Sequence, residues 1–249
     1  MTRLASGADL QLFDTLDSTS LEAKRRIEAG ENGPRWIVAL TQTAGYGRRG
    51  RRWEQRTGDF AGTLFFKPEI DGEALGQVSF IVALALAAVL ENHVPPEKIS
   101  LKWPNDILTG GKKCAGVLLE KLSAHLAIGV GVNIVTAPAD TPYQTARLLD
   151  YADTAPEPAP EPADFAAALD AHFWPLYEAW RARGFAPVRE AWLARAAGLG
   201  REITVRLPNQ TLTGVFDGLD ASGALVLRSG GQKRTIAAGE VFFAPEEKK

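Results

Sequence analysis

Leu126-Ala127-Ile128-Gly129-Val130-Gly131-Val132-Asn133-Ile134 alternates almost without a fault. In an extended chain successive side chains point to opposite faces, so Leu126, Ile128, Val130, Val132 and Ile134 share one side of a strand. The other side carries Gly129, Gly131 and Asn133. Two glycines and an amide make a poor core face but a good floor for a flat ligand. Upstream, Ile99-Ser100-Leu101-Lys102-Trp103 also alternates, placing Lys102 opposite Ile99, Leu101 and Trp103. Gly110-Gly111 is a two-residue hairpin signal that returns the chain through Lys113 to Glu120. Continued alternation puts Lys113 on the face of Ala115 and Val117, with Cys114 and Lys112 turned away.

Further out, Thr19-Ser20-Leu21-Glu22 has capping-box spacing and Gly30 offers a stop, which predicts a first helix. Trp36 to Thr41 and Thr63 to Phe66 read as strands, and the apolar run from Glu73 to Asn92 as a buried helix. Ala155 to Pro162 (APEPAPEP) is a stiff, extended acidic spacer. Phe165, Leu169, Phe173, Leu176 and Trp180 stand at helical spacing, with Pro175 a predicted kink, and a short helix follows over about Pro187 to Ala197. Beyond Glu202, turn signals at Pro208-Asn209, Ala221-Ser222-Gly223 and Ser229-Gly230-Gly231 divide the chain into short strands, the pattern of a small barrel.

Composition excludes several classes. The 249 residues are 45% hydrophobic and 23% charged, with a formal net charge of −2, so the molecule as a whole is no trap for nucleic acid. One cysteine, Cys114, allows no internal disulfide and fits a reducing cytosol. Three scattered histidines give no zinc spacing. No apolar run approaches the roughly 20 residues that span a bilayer, and charged residues break every run before Trp36, so neither membrane nor secretion is expected. The expectation is a cytoplasmic protein.

The densest chemical signal is Gly45-Tyr46-Gly47-Arg48-Arg49-Gly50-Arg51-Arg52-Trp53. Guanidiniums spaced by glycines form a mobile loop that can wrap a phosphate or carboxylate bidentately. Taken alone, it reads better as a basic surface loop or a weak nucleic-acid patch. Lys102-Trp103-Pro104-Asn105-Asp106 clusters a cation, an amide and a carboxylate at a turn, and by itself is better explained by turn formation. Ser18 and Thr19 alone would be helix caps. Lys113 alone would be an edge-strand lysine.

In order along the chain, these pieces resemble one family, the biotin–[acetyl-CoA-carboxylase] ligases or biotin protein ligases. The resemblance runs from about Asp17 to Phe243. It joins Asp17-Ser18-Thr19, Thr41-Gln42-Thr43-Ala44-Gly45, the arginine loop, Lys102 to Asp106, Lys113-Cys114-Ala115-Gly116 and Gly129 to Asn133, with Gly214 to Leu227 and Gly239-Glu240-Val241 in the last part. It implies an α+β fold: a mixed, largely antiparallel sheet with helices, like class II tRNA synthetases, followed by an SH3-like β-barrel. The division implied is a catalytic domain over 1–197 and the barrel over 198–249.

The resemblance also implies roles. Ser18, Thr19 and Gln42 would hydrogen-bond the biotin ureido ring, with Gly45, Tyr46, Gly47 and Gly116 beside the ligand. Arg48 and Lys113 would meet the biotin carboxylate, and Arg48, Lys113 and Lys102 would carry the catalysis. Arg51, Trp53, Lys102, Asn105 and Asn133 would bind ATP, with Asp106 near its Mg2+. The implied reaction makes biotinyl-5′-AMP and then passes biotin to a lysine of a biotin carboxyl carrier protein domain. A homodimer is compatible with this reading. The rivals are a lipoate–protein ligase and a biotin-sensing repressor. The repressor carries a helix-turn-helix domain of about 60 residues, whereas here Asp17-Ser18-Thr19 comes almost at once, so no specific nucleic-acid binding is expected. Four departures stand out. Tyr46 replaces a common arginine, and Ser20 replaces a frequent asparagine. Thr57 to Gly62 is longer than the usual turn, and the stretch after Asn133 is rich in Pro and Ala.

Overall fold

The computed structural model describes residues 1–69, 72–139, 141, 143–151 and 160–243. Its larger sheet holds eight strands: β1 (Thr2–Arg3), β2 (Asp9–Leu16), β3 (Arg35–Gln42), β4 (Phe60–Phe66), β5 (Ile99–Lys102), β6 (Asp106–Thr109), β7 (Lys112–Leu122) and β8 (His125–Val132). Their order is β1-β2-β3-β4-β8-β7-β6-β5. Only β2 and β3 run parallel, and α1 (Thr19–Glu28) connects them. All other neighbours are antiparallel.

The two faces of this sheet are covered unequally, and that inequality makes the site. On one face, Trp36, Val38, Leu64, Ile128, Val130 and Val132 pack under α2 (Val78–Leu90) and α3 (Pro162–Arg183). Eleven residues of α2 are buried, which is why its sequence is apolar all round. Phe66 meets Trp174 and Tyr177 of α3 edge-on, at 5.0 and 5.4 Å between centroids. On the opposite face only a small cluster, Ala23, Ile37, Phe65 and Ala127, seals α1 to the sheet. Past Ala127 that face of β8 continues as Gly129 and Gly131, and the space a side chain would take there goes to the Ser20 hydroxyl and the Trp53 ring.

After α4 (Ala186–Leu193) come β9 (Glu202–Arg206), β10 (Thr211–Leu219), β11 (Leu225–Ser229), β12 (Gln232–Ile236) and β13 (Glu240–Phe243). They form one antiparallel sheet of order β12-β11-β10-β9-β13. Its interior residues Ile203, Val205, Phe216 and Leu225 belong to the same apolar cluster as α2. The Trp103 indole donates to the Gly223 carbonyl at 3.0 Å, and a side chain at Gly223 would collide with Phe80.

Several expectations change in detail. The spacing at Thr19–Glu22 is no capping box. The N-cap is Ser18, which makes no side-chain cap bond, and Glu22 turns to Arg25 and Arg26. β4 begins at Phe60 rather than Thr63, so the long turn after Trp53 ends earlier than the sequence suggests. Pro175 sits inside α3 without ending it. Of the acidic spacer, residues 155–159 lie outside the described set.

The face of Lys113 is corrected. Leu108 pairs with Lys113 but Ile107 pairs with Ala115, so Cys114 is an extra residue, a β-bulge. Cys114, Ala115 and Val117 all enter the core, while Lys113 emerges with Gly116 on the open face. Simple alternation cannot foresee an inserted residue.

Candidate active site

The floor of the pocket is the glycine face of β8. A Cβ on Gly131 would lie 2.3 Å from the Trp53 ring, and one on Gly129 would lie 3.0 Å from the Ser20 hydroxyl. Any larger residue at either position would fill the space. Around this floor the structure gathers Ser18, Thr19, Gln42, Tyr46, Gly47, Arg48, Arg51, Trp53, Lys102, Asn105, Asp106, Lys113 and Gly116. Two predicted residues stand apart. Gly45 is buried behind Gln42, where a Cβ would be 2.8 Å from the amide nitrogen. Asn133 lines an adjoining chamber that shares Arg51, Trp53 and Lys113 with the first.

One end of the pocket is neutral. The Gln42 amide oxygen accepts from the Thr19 backbone N–H at 2.8 Å and its hydroxyl at 3.2 Å. Thr63 donates to the Thr19 hydroxyl at 2.9 Å and lies 3.2 Å from Ser20 Oγ. Ser18, Thr19, Ser20 and Thr63 are all buried. They form a fixed row of short hydroxyls at the start of α1, with no charge among them. Thr63 was not anticipated as a site residue, although alternation in β4 sets it opposite Leu64.

The other end is cationic. Lys113 Nζ lies 2.7 Å from Asp106 Oδ1, and Lys102 Nζ lies 3.9 Å from Asp106 Oδ2. The hairpin explains this meeting, because Lys102 pairs with Asp106 across β5–β6 and Asp106 with Gly116 across β6–β7. Burial works against the charge on Lys113, yet Asp106 and the Tyr143 hydroxyl outweigh it and raise its pKa. Lys102 goes the other way: burial dominates and lowers its pKa, Asp106 being farther off. The rings of Tyr143, Phe242 and Phe243 stand 5.7–5.8 Å from the Lys102 ammonium.

The arginine loop is bonded across its own backbone and to neighbouring side chains. Gly47 N–H donates to Arg51 O at 2.7 Å, and Trp53 N–H to Gly45 O at 2.9 Å. Arg49 takes a left-handed φ of 59° at its tip. Arg48 donates to Asn105 Oδ1 at 2.9 Å, and Arg51 makes a two-pronged contact with Glu240 at 2.5 and 2.6 Å. Tyr46 donates to the Glu120 carboxylate at 3.0 Å, and burial with that neighbouring charge pushes its phenol up to about 12. Glu240 and Tyr143 were not anticipated as site residues. Glu240 stands in a stretch that resembled the family without indicating a role, and Tyr143 lies in the Pro/Ala-rich stretch, where no pattern marks it. Among the described residues no three His, Cys, Asp or Glu side chains gather to hold a metal.

Residues 12–133 match the biotin/lipoate A/B protein ligase family, and residues 198–244 match the biotin protein ligase C-terminal domain. A biotin–[acetyl-CoA-carboxylase] ligase of Paracoccus denitrificans is 41% identical, over 91% of this chain and 97% of its own. The biotin protein ligase of Aquifex aeolicus, solved with biotin and ATP, shares the fold with a TM-score of 0.81 at 24% identity, covering 94% of this chain and 97% of that one. The Leishmania major biotin protein ligase, solved with biotinyl-5-AMP, has a TM-score of 0.66 at 26% identity, covering 92% and 99%.

Proposed function

The chain belongs to the biotin/lipoate A/B protein ligase family, and we propose from its site that it activates biotin with ATP and transfers it to a protein lysine. The observation that carries this reading is one pocket with a neutral hydroxyl–amide end and a cationic end. A ureido ring is uncharged and both donates and accepts, which suits Ser18, Thr19 and Gln42. A carboxylate approaching a triphosphate is all negative charge, which suits Arg48, Arg51, Lys102 and Lys113.

Two steps follow. A biotin carboxylate oxygen attacks the α-phosphorus of ATP, and pyrophosphate leaves with the bonding pair. The amine of the acceptor lysine then attacks the acyl carbon of biotinyl-5′-AMP, and AMP leaves. Neither step needs a nucleophile from the enzyme. What this chain supplies is alignment and fixed positive charge where negative charge gathers. Lys113, kept protonated by Asp106, faces the carboxylate and the phosphate it attacks. Arg48, with Asn105 behind it, closes the loop over the adenylate and keeps water out. Arg51 and Lys102 meet the phosphates, and Trp53 and Asn133 border the nucleotide chamber. Mg2+ arriving with ATP would neutralise phosphate charge, and a lone carboxylate such as Asp106 fits a cation that keeps most of its ligands as phosphate oxygens and water.

The acceptor is a biotin carboxyl carrier protein domain, the partner implied by the relative's acetyl-CoA-carboxylase substrate. Catalytic and barrel domains divide at 197/198. A cytoplasmic setting agrees with the buried lone thiol of Cys114, and no described helix is long and apolar enough to cross a membrane. ATP–pyrophosphate exchange with biotin, with lipoate and with neither tests the proposal. Exchange that depends on biotin is expected; exchange driven by lipoate, or by no acid at all, would overturn it.

A further inference from the structure

The turn that ends at Asp59, just before β4, has no part in the reaction as described, yet it carries one of the most completely buried carboxylates among the described residues. Asp59 is 1% exposed. Its Oδ1 accepts three consecutive backbone N–H groups, from Ile134 at 2.9 Å, Val135 at 2.8 Å and Thr136 at 3.0 Å. Its Oδ2 takes the Thr136 hydroxyl and the Arg56 N–H. Five neutral donors converge on one carboxylate, an arrangement in which successive amides form a concave anion seat. Gly58, at φ 97°, lies so close to Val135 that a Cβ would come within 2.9 Å of it. The turn is thus fitted to residues 134–136 by both charge and shape.

Those residues lie between Asn133 and Pro138, both of which line the chamber. From Thr136 the chain reaches Thr141 and Tyr143, then returns beside Lys113, whose N–H donates to Gln144 O at 2.9 Å and whose carbonyl accepts from Ala146 N–H at 2.9 Å. Asn133 Nδ2 closes the circuit on Ala146 O at 3.1 Å. The Tyr143 ring stands 5.0 Å from the Lys113 ammonium. At its other end Asp59 is tied to the segment after Trp53, because Gln55 Nε2 bonds both Asp59 O and Ala39 O. Two sides of the chamber, Trp53 on one and Pro138, Thr141, Tyr143 and Thr145 on the other, therefore share one anchor.

We propose that Asp59 is a positioning residue for the nucleotide, setting the chamber wall beside Lys113 without touching the substrate. This rests on the reading that ATP occupies the cationic side. The neutral end has its own supports in Thr19, Thr63 and Gln42, so the effect of losing the anchor is selective.

The test titrates the full-length protein with biotin and, separately, with the α,β-methylene analogue of ATP. Wild type is compared with Asp59→Ala, Asp59→Asn and Thr136→Val, each first checked for folding by thermal melt. Asp59→Ala should weaken the analogue by about tenfold or more, the scale of losing charge-assisted bonds, with biotin affinity within about twofold of wild type. Asp59→Asn keeps an acceptor but opposes a donor to the Arg56 N–H, and should fall between. Thr136→Val should show the same selectivity to a smaller extent, and it decides the matter if the Asp59 variants do not fold. Equal weakening of both ligands, or an unchanged analogue affinity in folded variants, would overturn the proposal. Wild-type pyrophosphate exchange that ignores biotin would count against the biotin reading, while the titrations would still decide the role of Asp59.

Discussion

The two ends of the pocket solve different problems with different chemistry. The neutral end is a chain of hydroxyls already bonded to one another through Thr19, Thr63, Ser20 and Gln42. The cationic end sets Arg48, Arg51, Lys102 and Lys113 against two carboxylates, Asp106 and Glu240. A neutral, prebonded end recognises a ligand that stays the same throughout the reaction, so its binding energy is spent equally on ground and transition states. Surplus fixed charge is useful only where charge accumulates on reacting atoms. On the proposed function, the comparison therefore gives binding to one end and rate to the other.

Removing Lys113 should have the largest effect. Lys113→Ala should slow biotin-dependent pyrophosphate exchange by roughly a hundredfold or more, since a fixed charge in an enclosed site is withdrawn from the transition state. Asp106 loses its nearest cation as well. Lys112→Ala is the internal control, because Lys112 is exposed and precedes the bulge. If Lys112→Ala were crippled and Lys113→Ala were not, the assignment of rate to this end would fail.

Arg48→Gly should come next. It deletes the bond to Asn105 and adds backbone freedom to the loop. Adenylate should still form but escape about tenfold faster or more, and label lysines indiscriminately, as expected for one lost charged hydrogen bond. Rapid-filtration release of labelled biotinyl-5′-AMP would measure this. Retention equal to wild type would remove Arg48 from the lid.

At the neutral end the effects should be smaller and of another kind. Gln42→Ala should raise the KM for biotin by about tenfold while leaving kcat near wild type at saturation, the signature of lost uniform binding. Thr63→Val breaks the hydroxyl row one step from the ligand. It should cost about 1 kcal/mol of stability and only a few-fold in biotin affinity. A fall in kcat with unchanged KM in either variant would erase the distinction between the ends.

The two ends also differed in how far sequence could reach them. The floor was legible because alternation in Leu126–Ile134 is a local property, and the structure keeps it residue for residue. The Asp106–Lys113 meeting was half legible. The Gly110-Gly111 hairpin brings the strands together, yet the bulge at Cys114 moved Lys113 to the face opposite the one alternation gave. Ser18 and Thr19 looked like caps because local spacing cannot show that Thr19 instead bonds to Gln42 and Thr63. The Arg51–Glu240 contact joins residues at opposite ends of the chain, and nothing in either neighbourhood announces the other. Asp59 was visible only as surplus length in a turn. Local periodicity encodes faces, whereas contacts across a sheet and between domains depend on register that no single segment contains.

The most direct test of the two-ended pocket is a crystal structure of the protein with a non-hydrolysable analogue of biotinyl-5′-AMP. The ureido ring should lie against Ser18, Thr19 and Gln42, over Gly129. The phosphate should lie within hydrogen-bonding distance of Lys113 and the arginine loop, with the base in the chamber bordered by Trp53 and Asn133. An analogue bound the other way round, or with its phosphate out of reach of Lys113, would contradict the account.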